Sequence, residues 1–202
     1  PRLWTSVLRR LAGAAREDLA SEVLRALRLG GAELNVIHYN TVLSAFQRSQ
    51  DGAMAIRLLY IMEAAAVSPD TVSYNTAINA CGKGDWALAL HLFSCMQRAL
   101  LTPDVISFNS LITAFHEDGK WEASMHSLQS MATVQLLPDV ISYASTLSAY
   151  AKGSRWQLAL EQLEVMKTLQ VIPNVVAYSA VMDACDRAGK LDLALSVLDM
   201  ME

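Results

Sequence analysis

A row of small polar residues recurs along this chain at intervals of 34 or 35 residues, interrupted at Ala144. Its members come in pairs four residues apart: Asn40 and Ser44, Asn75 and Asn79, Asn109 and Thr113, Ala144 and Ser148, and Ser179 and Asp183. Residues four apart share one face of an α-helix. An Asn side chain offers donors and an acceptor, so this face suits hydrogen bonding to the edge of a nucleobase. A merely solvated face is the alternative, but such faces favour Lys and Glu, which form helices better.

A β-branched aliphatic residue stands three positions before each leading member of the polar row. These residues are Ile37, Val72, Ile106, Ile141 and Val176. One helical turn separates them from the polar position, so both side chains point the same way. A ladder of aliphatic side chains can receive stacked bases between its steps. Core packing of the first helical turn is the alternative that the spacing leaves open.

A line of basic residues lies eight positions after the polar row. It consists of Arg48, Lys83, Lys152 and Arg187, and Glu117 interrupts it. The net charge is −4 and the pI is about 5.6, whereas proteins that bind phosphates usually have a basic footprint. A local basic line can still operate within an acidic molecule, so we expect these residues to lie near phosphates. Ordinary surface lysines and arginines are the alternative.

The elements that position these residues repeat as well. Each unit begins after an Asp or Asn, which Pro precedes in all but the first case. The predicted units are 1–35 (degenerate), 36–70, 71–104, 105–139, 140–174 and 175–202 (truncated). A fixed period of this size indicates a solenoid.

Each unit has the pattern of two helices. In the first helix, apolar residues fall at i, i+3, i+4 and i+7, as in Tyr74, Ala77, Ile78 and Cys81. A second apolar-striped helix follows a Gly-rich or basic break and stops before Pro. A helix pair of this size cannot bury its own apolar face. We therefore expect an all-α fold, an α-solenoid of stacked antiparallel helix pairs that forms a right-handed superhelix with a concave groove.

The segment "PDTVSYNTAINAC", followed by "GDWALALHLFSCM", resembles the pentatricopeptide repeat. The resemblance is strong over 36–202 and weaker over 1–35, where only the helical pattern remains. The tetratricopeptide repeat has a similar period. The aromatic-Asn pair after Pro-Asp and the Met near the end of the second helix favour the pentatricopeptide family.

This resemblance implies single-stranded RNA binding, with one base for each repeat. In the family, the fifth and last residues of a repeat contact the base edge, and the second packs on its flat face. The implied base-contacting pairs are Thr5 with Asn35, Asn40 with Asp70, Asn75 with Asp104, Asn109 with Asp139, and Ala144 with Asn174, while Ser179 has its partner beyond the sequence. The implied stacking residues are the five aliphatic residues named above.

The family's pairing rules imply a target sequence. Asn with Asp resembles the uracil combination, and Thr with Asn resembles the adenine combination. Since family members run with their N-terminus toward the RNA 5′ end, the expected core is 5′-AUUU-3′. Ala144 departs from the common pairs, and Arg2 replaces the stacking residue of the first unit.

We expect the chain to act in RNA processing, stability, editing or translation in mitochondria or chloroplasts, as the resemblance implies. The N-terminal "PRLWTSVLRRLAGAAR" fits an amphipathic helix better than a targeting peptide. The alternative function is a scaffold that holds a peptide in the groove, which the acidic pI favours. The regular Asn-Asp pairing favours RNA. Self-association through the open end of the array is a further expectation.

Catalytic signatures are missing from the sequence. The four His residues lack metal-ligand spacing, and there is neither a deaminase motif nor a Gly-rich phosphate loop. Cys81, Cys95 and Cys185 are predicted to be reduced thiols of the core. We therefore expect no enzyme activity, no cofactor, no small-molecule substrate and no membrane partner.

Overall fold

A computed structural model describes residues 6–8, 10, 17–82 and 84–201. Within these ranges the chain forms eleven named helices, joined by short turns, and no strand. The prediction of an all-α fold built from antiparallel helix pairs is confirmed. The chain divides into two compact units, Pro1–Pro103 and Asp104–Glu202.

The first unit contains α1 (Glu17–Leu29), α2 (Val36–Ser49), α3 (Gly52–Ala64), α4 (Thr71–Asn79) and α5 (Trp86–Arg98). Helix α2 packs on α1, α3 and α4, and α4 in turn packs on α3 and α5. Each first helix, α2 or α4, is therefore covered by helices before and after it in the chain.

The second unit repeats this arrangement. Its helices are α6 (Val105–Glu117), α7 (Trp121–Thr133), α8 (Val140–Lys152), α9 (Trp156–Thr168), α10 (Val175–Arg187) and α11 (Leu191–Asp199). Helix α8 packs on α6, α7, α9 and α10, and α10 also packs on α9 and α11. The first helices α6, α8 and α10 thus lie side by side, which places their polar rows next to each other.

The first helices begin where an Asp or Asn caps them. Asn35, Asp70, Asp104, Asp139 and Asn174 are the N-caps of α2, α4, α6, α8 and α10, each with an extended backbone. Their side-chain oxygens accept the backbone N–H three residues on. Such a cap stabilises a helix by about 1 kcal/mol. The same residues are the last members of the predicted units, so the caps lie beside the polar row.

The second helices end in a left-handed turn at an equivalent place. Ala66, Leu100, Gln135 and Gln170 have φ between 56° and 60°. The next N–H bonds back to the carbonyl of a recurring Met, for example Leu101 N to Met96 O at 3.2 Å. Met62, Met96, Met131 and Met166 are completely buried. The recurring Met therefore anchors both the core and the end of the helix.

Helix α4 is shorter than the apolar stripe predicts. It ends at Asn79, so Cys81 lies outside the helix, in an isolated antiparallel bridge with Asp51. The turn between α2 and α3 approaches closely here, because a Cβ on Gly52 would lie 3.1 Å from Cys81 Sγ. This tight contact replaces the last turn of the helix.

The cysteines differ in their surroundings. Cys81 and Cys185 are buried, and burial raises the pKa of both thiols, that of Cys81 to about 12. Cys95 is only partly buried on α5, with Arg98 Nη2 3.0 Å and His91 Nε2 3.5 Å from its sulfur. The prediction of a core thiol is therefore wrong for Cys95, whose position on the helix faces the surface.

Candidate nucleic-acid interface

The leading positions of the polar row lie on the first helices. Asn75 and Asn109 are buried, at 6% and 9% exposure, and Asn40 is half-buried. Ala144 is 5% exposed, whereas Ser179 is exposed. Buried amides need hydrogen-bond partners. At Asn75 and Asn109 the row is therefore not a merely solvated face.

Asn40 is held by two residues beyond its own helix. Its Nδ2 donates a hydrogen bond to Asp70 Oδ1 at 3.2 Å. The Ser73 hydroxyl lies 2.6 Å from Asn40 Oδ1 and 2.8 Å from Asp70 Oδ1, so its single proton has two acceptors. The Ser73 N–H also donates to Asp70 Oδ1, at 2.8 Å. The amide is thus fixed in orientation, with one of its N–H groups left for another acceptor.

The same cluster recurs in the second unit. Asn109 Nδ2 donates to Asp139 Oδ1 at 3.0 Å, and the Ser142 hydroxyl donates to Asn109 Oδ1 at 2.5 Å. The Asp139 carboxylate accepts the N–H of Ser142 at 2.9 Å. We call the sets Asn40–Asp70–Ser73 and Asn109–Asp139–Ser142 the amide clusters. The structure therefore brings together two of the residue pairs that the resemblance implied.

Both carboxylates of the amide clusters favour their charged form. Burial alone would raise the pKa of Asp70, but hydrogen bonds from Ser73 and Asn40 outweigh it and lower the pKa. The pKa of Asp139 is lowered in the same way by Ser142, Asn109 and Ile141, again against burial. Within the described residues, the hydrogen bonds to the side-chain carboxylate of Asp139 are all accepted by Oδ1. Its Oδ2 is therefore directed to no protein donor and can accept one from a ligand.

The serines of the amide clusters were missed in the sequence. Ser73 and Ser142 are completely buried. Their signal is the Ser at the third place of "TVSYN", "VISFN" and "VISYA", which recurs with the same period as the Asn. A capping box explains that Ser locally, because its hydroxyl bonds back to the N–H of the cap residue. Only the packing of successive first helices shows that it also reaches the Asn.

The remaining predicted pairs take other arrangements. Asn174 Oδ1 accepts the Ala177 N–H at 2.9 Å, and Ala144 has no side-chain group to meet it. Asn35 Oδ1 accepts the His38 N–H at 3.3 Å, but its implied partner Thr5 lies outside the described residues. Asn75 lies on α4 of the first unit, and Asp104 caps α6 of the second.

The aliphatic ladder is exposed. Exposure is 60% for Ile37, 57% for Val72, 58% for Ile106, 55% for Ile141 and 56% for Val176. Core packing, the alternative that the spacing left open, is therefore wrong for these side chains. Within each unit, these side chains, each more than half exposed at the same place in its repeat, present an apolar surface beside the polar row.

The basic line is partly neutralised by carboxylates. Lys152 Nζ lies 3.3 Å from Glu117 Oε2, and Arg187 Nε lies 3.0 Å from Asp183 Oδ2. Arg48 is exposed on α2, and Lys83 lies outside the described residues. Ion pairs on the surface are weak, so a phosphate can compete for these cations. The line is therefore a weaker attraction for phosphates than the sequence indicated.

In the described part of the chain, no three His, Cys, Asp or Glu side chains are grouped so as to hold a metal ion. Among the same residues, no helix has the length and apolar character needed to cross a membrane.

Family models match most of the chain. A model described as "Pentatricopeptide repeat-containing protein" matches residues 3–81. One described as "Pentatricopeptide repeat domain" matches 91–153, 128–187 and 163–202, and a "PPR repeat" model matches 72–99. The second of these alone covers more than half of the sequence.

A curated relative is "Pentatricopeptide repeat-containing protein 10, chloroplastic" from Zea mays, which is 36% identical over 81 residues, or 40% of this chain and 10% of the relative. The structure of the maize protein PPR10 has 30% identity and a TM-score of 0.78 over 98% of this chain. A structure of PPR10 "in complex with an 18-nt psaJ RNA element" has a TM-score of 0.69 at the same identity. This chain spans 28% of each solved PPR10 chain.

The fold is also that of a more distant domain. The PPR domain of Arabidopsis thaliana protein-only RNase P 1, solved in complex with tRNA, has a TM-score of 0.73. The match covers 92% of this chain and 98% of that one, at 14% identity. At this identity, the similarity shows the helical fold alone.

Proposed function

We propose that this chain, which belongs to the pentatricopeptide repeat family, binds single-stranded RNA along the polar row of its first helices. In this proposal each repeat holds one base, and the repeats are 1–35, 36–70, 71–104, 105–139, 140–174 and 175–202. The RNA complex of PPR10, which is 30% identical to this chain, supports the choice of ligand.

The recurring amide cluster is the observation that carries the proposal. Asn40 and Asn109 make the same bonds to the Asp that ends their own repeat and to a Ser of the following repeat. A base edge needs donors and acceptors in a fixed orientation, and the bonds to Asp and Ser supply that orientation before RNA arrives. A peptide groove does not require the same fixed amide in different repeats, because the side chains of a peptide vary from position to position.

The chemistry of the cluster fits uracil. The free N–H of Asn109 can donate to a uracil carbonyl, and Asp139 Oδ2 can accept the ring N–H. The same argument applies to Asn40 with Asp70. With Asn75 and Asp104 in the repeat between them, and with Thr5 and Asn35 taken as the adenine pair, the proposed core is 5′-AUUU-3′.

The aliphatic ladder supplies the second half of the site. Because Ile106 and Ile141 lie on adjacent first helices and are both more than half exposed, a base between them would have an apolar surface on each side. Stacking of this kind is tolerant of base identity, so it adds affinity without selecting a sequence. Selection is left to the amide clusters.

The cellular role follows from the same proposal. The curated relative is chloroplastic by name, and we propose a role in organellar RNA processing, stability, editing or translation. In this role the described residues hold RNA and carry out no reaction themselves.

The test is a fluorescence-anisotropy titration at two salt concentrations. One single-stranded RNA contains the core AUUU flanked by cytosines, and in the other the three uracils are replaced by guanines. We expect a Kd about tenfold or more lower for the uracil RNA, since one good base contact discriminates by ~1–3 kcal/mol. Asn109→Ala should remove the share of that difference that comes from one of the three uracil positions. Gln129→Ala, at an exposed position of α7, is the matched control and should leave it unchanged.

Two results would contradict the proposal. Equal binding of both RNAs that disappears at the higher salt concentration would show electrostatic contact without base selection. No binding of either RNA would instead favour the peptide scaffold. Circular dichroism of each variant separates loss of contact from loss of fold.

A further inference from the structure

A cleft of about 280 Å³ lies on the ligand-facing side of the second unit. Ile141 and Val176, two successive members of the aliphatic ladder, both line it. Ala144, at the leading polar position, and Asn174, the last residue of the same repeat, line it as well. The cleft therefore coincides with the base position of repeat 140–174.

The open space of the cleft results from Ala144. In repeats 36–70 and 105–139 the equivalent place carries an Asn whose amide bonds to the Asp cap. Ala144 ends at its Cβ, so the cap residue Asn174, whose oxygen accepts the Ala177 N–H as the other caps do, meets no amide from that position. The volume that an amide cluster fills in repeats 36–70 and 105–139 is thus open in this one.

Two polar side chains, those of Ser148 and His116, border the open space. Ser148, one turn below Ala144, donates its hydroxyl proton to the Ala144 carbonyl at 2.9 Å and keeps its acceptor capacity. His116 lies on the neighbouring helix α6, and its Nδ1 is buried without a hydrogen-bond partner among the described residues. A buried polar atom of this kind costs free energy unless a ligand satisfies it.

The charge state of His116 agrees with a role in hydrogen bonding. Burial and the nearby Lys152 lower the pKa of the imidazole, against smaller opposite effects of Glu117 and the Ser148 backbone. The ring is therefore neutral at pH 7, with one nitrogen as donor and the other as acceptor. It is suited to a base edge rather than to a phosphate.

We infer that this cleft takes a purine, and that His116 is the residue that determines this preference. The inference rests on the proposed RNA binding and assigns the base at one further position. A pyrimidine held between Ile141 and Val176 leaves the space of the missing amide empty. A purine has a second ring that fills this space and an edge that reaches the side chains of Ser148 and His116.

The experiment uses four single-stranded RNAs with the core 5′-AUUUN-3′, flanked by cytosines, in which N is A, G, C or U. We expect both purines to bind with a Kd about tenfold lower than that of either pyrimidine. His116→Ala should reduce the purine-to-pyrimidine ratio without changing the preference for uracil at the three preceding positions. His91→Ala, at an exposed position of α5, is the matched control.

A gain-of-function variant tests the origin of the space. Ala144→Asn combined with Asn174→Asp restores the residue pair of Asn109 and Asp139. This double variant should bind the RNA with N as U best and lose its preference for purines. The ratio between RNAs is the readout, so a uniform loss of stability does not imitate the effect.

The outcomes separate this inference from the proposed function. Equal binding of all four RNAs, while replacement of the three uracils still weakens binding, would overturn the purine assignment alone. Preference for purines that survives His116→Ala would overturn the role of His116. Insensitivity to the three uracils as well would overturn the RNA-binding proposal itself.

Discussion

Asp139 accepts a hydrogen bond from Asn109, thirty residues earlier in the chain, with the same oxygen atom that caps helix α8. One carboxylate oxygen therefore serves local structure and the proposed ligand site together. The arrangement at Asp70 is the same, with Asn40 as donor and α4 as the capped helix. The start of each of these helices is thereby tied to the orientation of an amide in the preceding repeat.

Substitution of Asp139 should separate its two roles. Asp139→Asn keeps a good N-cap, so we expect a loss of only a few tenths of a kcal/mol in unfolding free energy. The same variant replaces the free carboxylate oxygen, so preference for uracil at that position should fall by about tenfold. Asp139→Ala should lose both the cap and the preference for uracil, and the loss of the cap should lower the unfolding free energy by about 1 kcal/mol. Urea unfolding and RNA titration measure the two effects.

Asp51 provides the control for this prediction. It caps α3 through the Met54 N–H at 2.9 Å and lies outside both amide clusters. Asp51→Ala should lower stability by a similar amount and leave the base preference unchanged. Equal changes in base preference for the Asp51 and Asp139 variants would show that the preference only follows stability.

The aliphatic ladder should matter to binding and little to folding. Because Ile106 is 58% exposed, Ile106→Ser should change unfolding free energy by no more than about 0.5 kcal/mol. RNA affinity should fall several-fold for every base sequence, since stacking is worth ~1–3 kcal/mol per base and is tolerant of sequence. Leu137→Ser, at an exposed turn residue, should leave affinity unchanged. A large loss of stability in Ile106→Ser would instead assign Ile106 to the core.

The carboxylates predict how stability depends on pH. The pKa values of Asp70 and Asp139 are lowered from 3.8 in the folded chain by their hydrogen bonds, against burial. The unfolded chain therefore binds more protons, so stability decreases as pH is lowered through this range. Their contribution is fully present above the unfolded value and is lost as pH falls through the folded values. Urea titrations between about pH 6 and pH 3 should show a shallower slope for Asp70→Asn/Asp139→Asn than for the parent chain.

The left-handed turns offer a stabilising substitution. Leu100 has φ of 58° and is 91% exposed. Because a side chain in this conformation costs roughly 1 kcal/mol, Leu100→Gly should raise the unfolding free energy by about 0.5–1 kcal/mol. Leu137, 86% exposed but without positive φ, is the matched position, and Leu137→Gly should give no gain. Thermal unfolding of the two variants checks the difference, and an equal shift in both would refute the turn argument.

The period of the sequence was sufficient to predict the helices, whereas the pairing of Asn40 with Asp70 was implied by the family resemblance. Each helix start depends on a cap and an apolar stripe, which are local in sequence. The missed features depend on contacts between helices. Helix α4 ends early, at Asn79, beside the close approach of Gly52 to Cys81, a contact with another helix that the apolar stripe does not encode.

The electrostatic features were the least predictable from sequence. Lys152 was assigned to a phosphate line, and Glu117 was seen only as its interruption. They are 35 residues apart, and the packing of α6 on α8 brings their side chains within 3.3 Å. The unpaired Nδ1 of His116 likewise results from burial by a neighbouring helix. Charge and hydrogen-bond balance at such places is a property of the packed array.

The amide cluster also sets how such an array can be recombined. Its three side chains come from the fifth residue of one repeat, the last residue of that repeat and the third residue of the next, as in Asn40, Asp70 and Ser73. A block excised from 36–70 would carry the amide and the carboxylate and leave the hydroxyl behind. The segment that carries one complete amide cluster is therefore 36–73, so chimeric arrays should be joined within a first helix, after its third residue, and not at the proline turn.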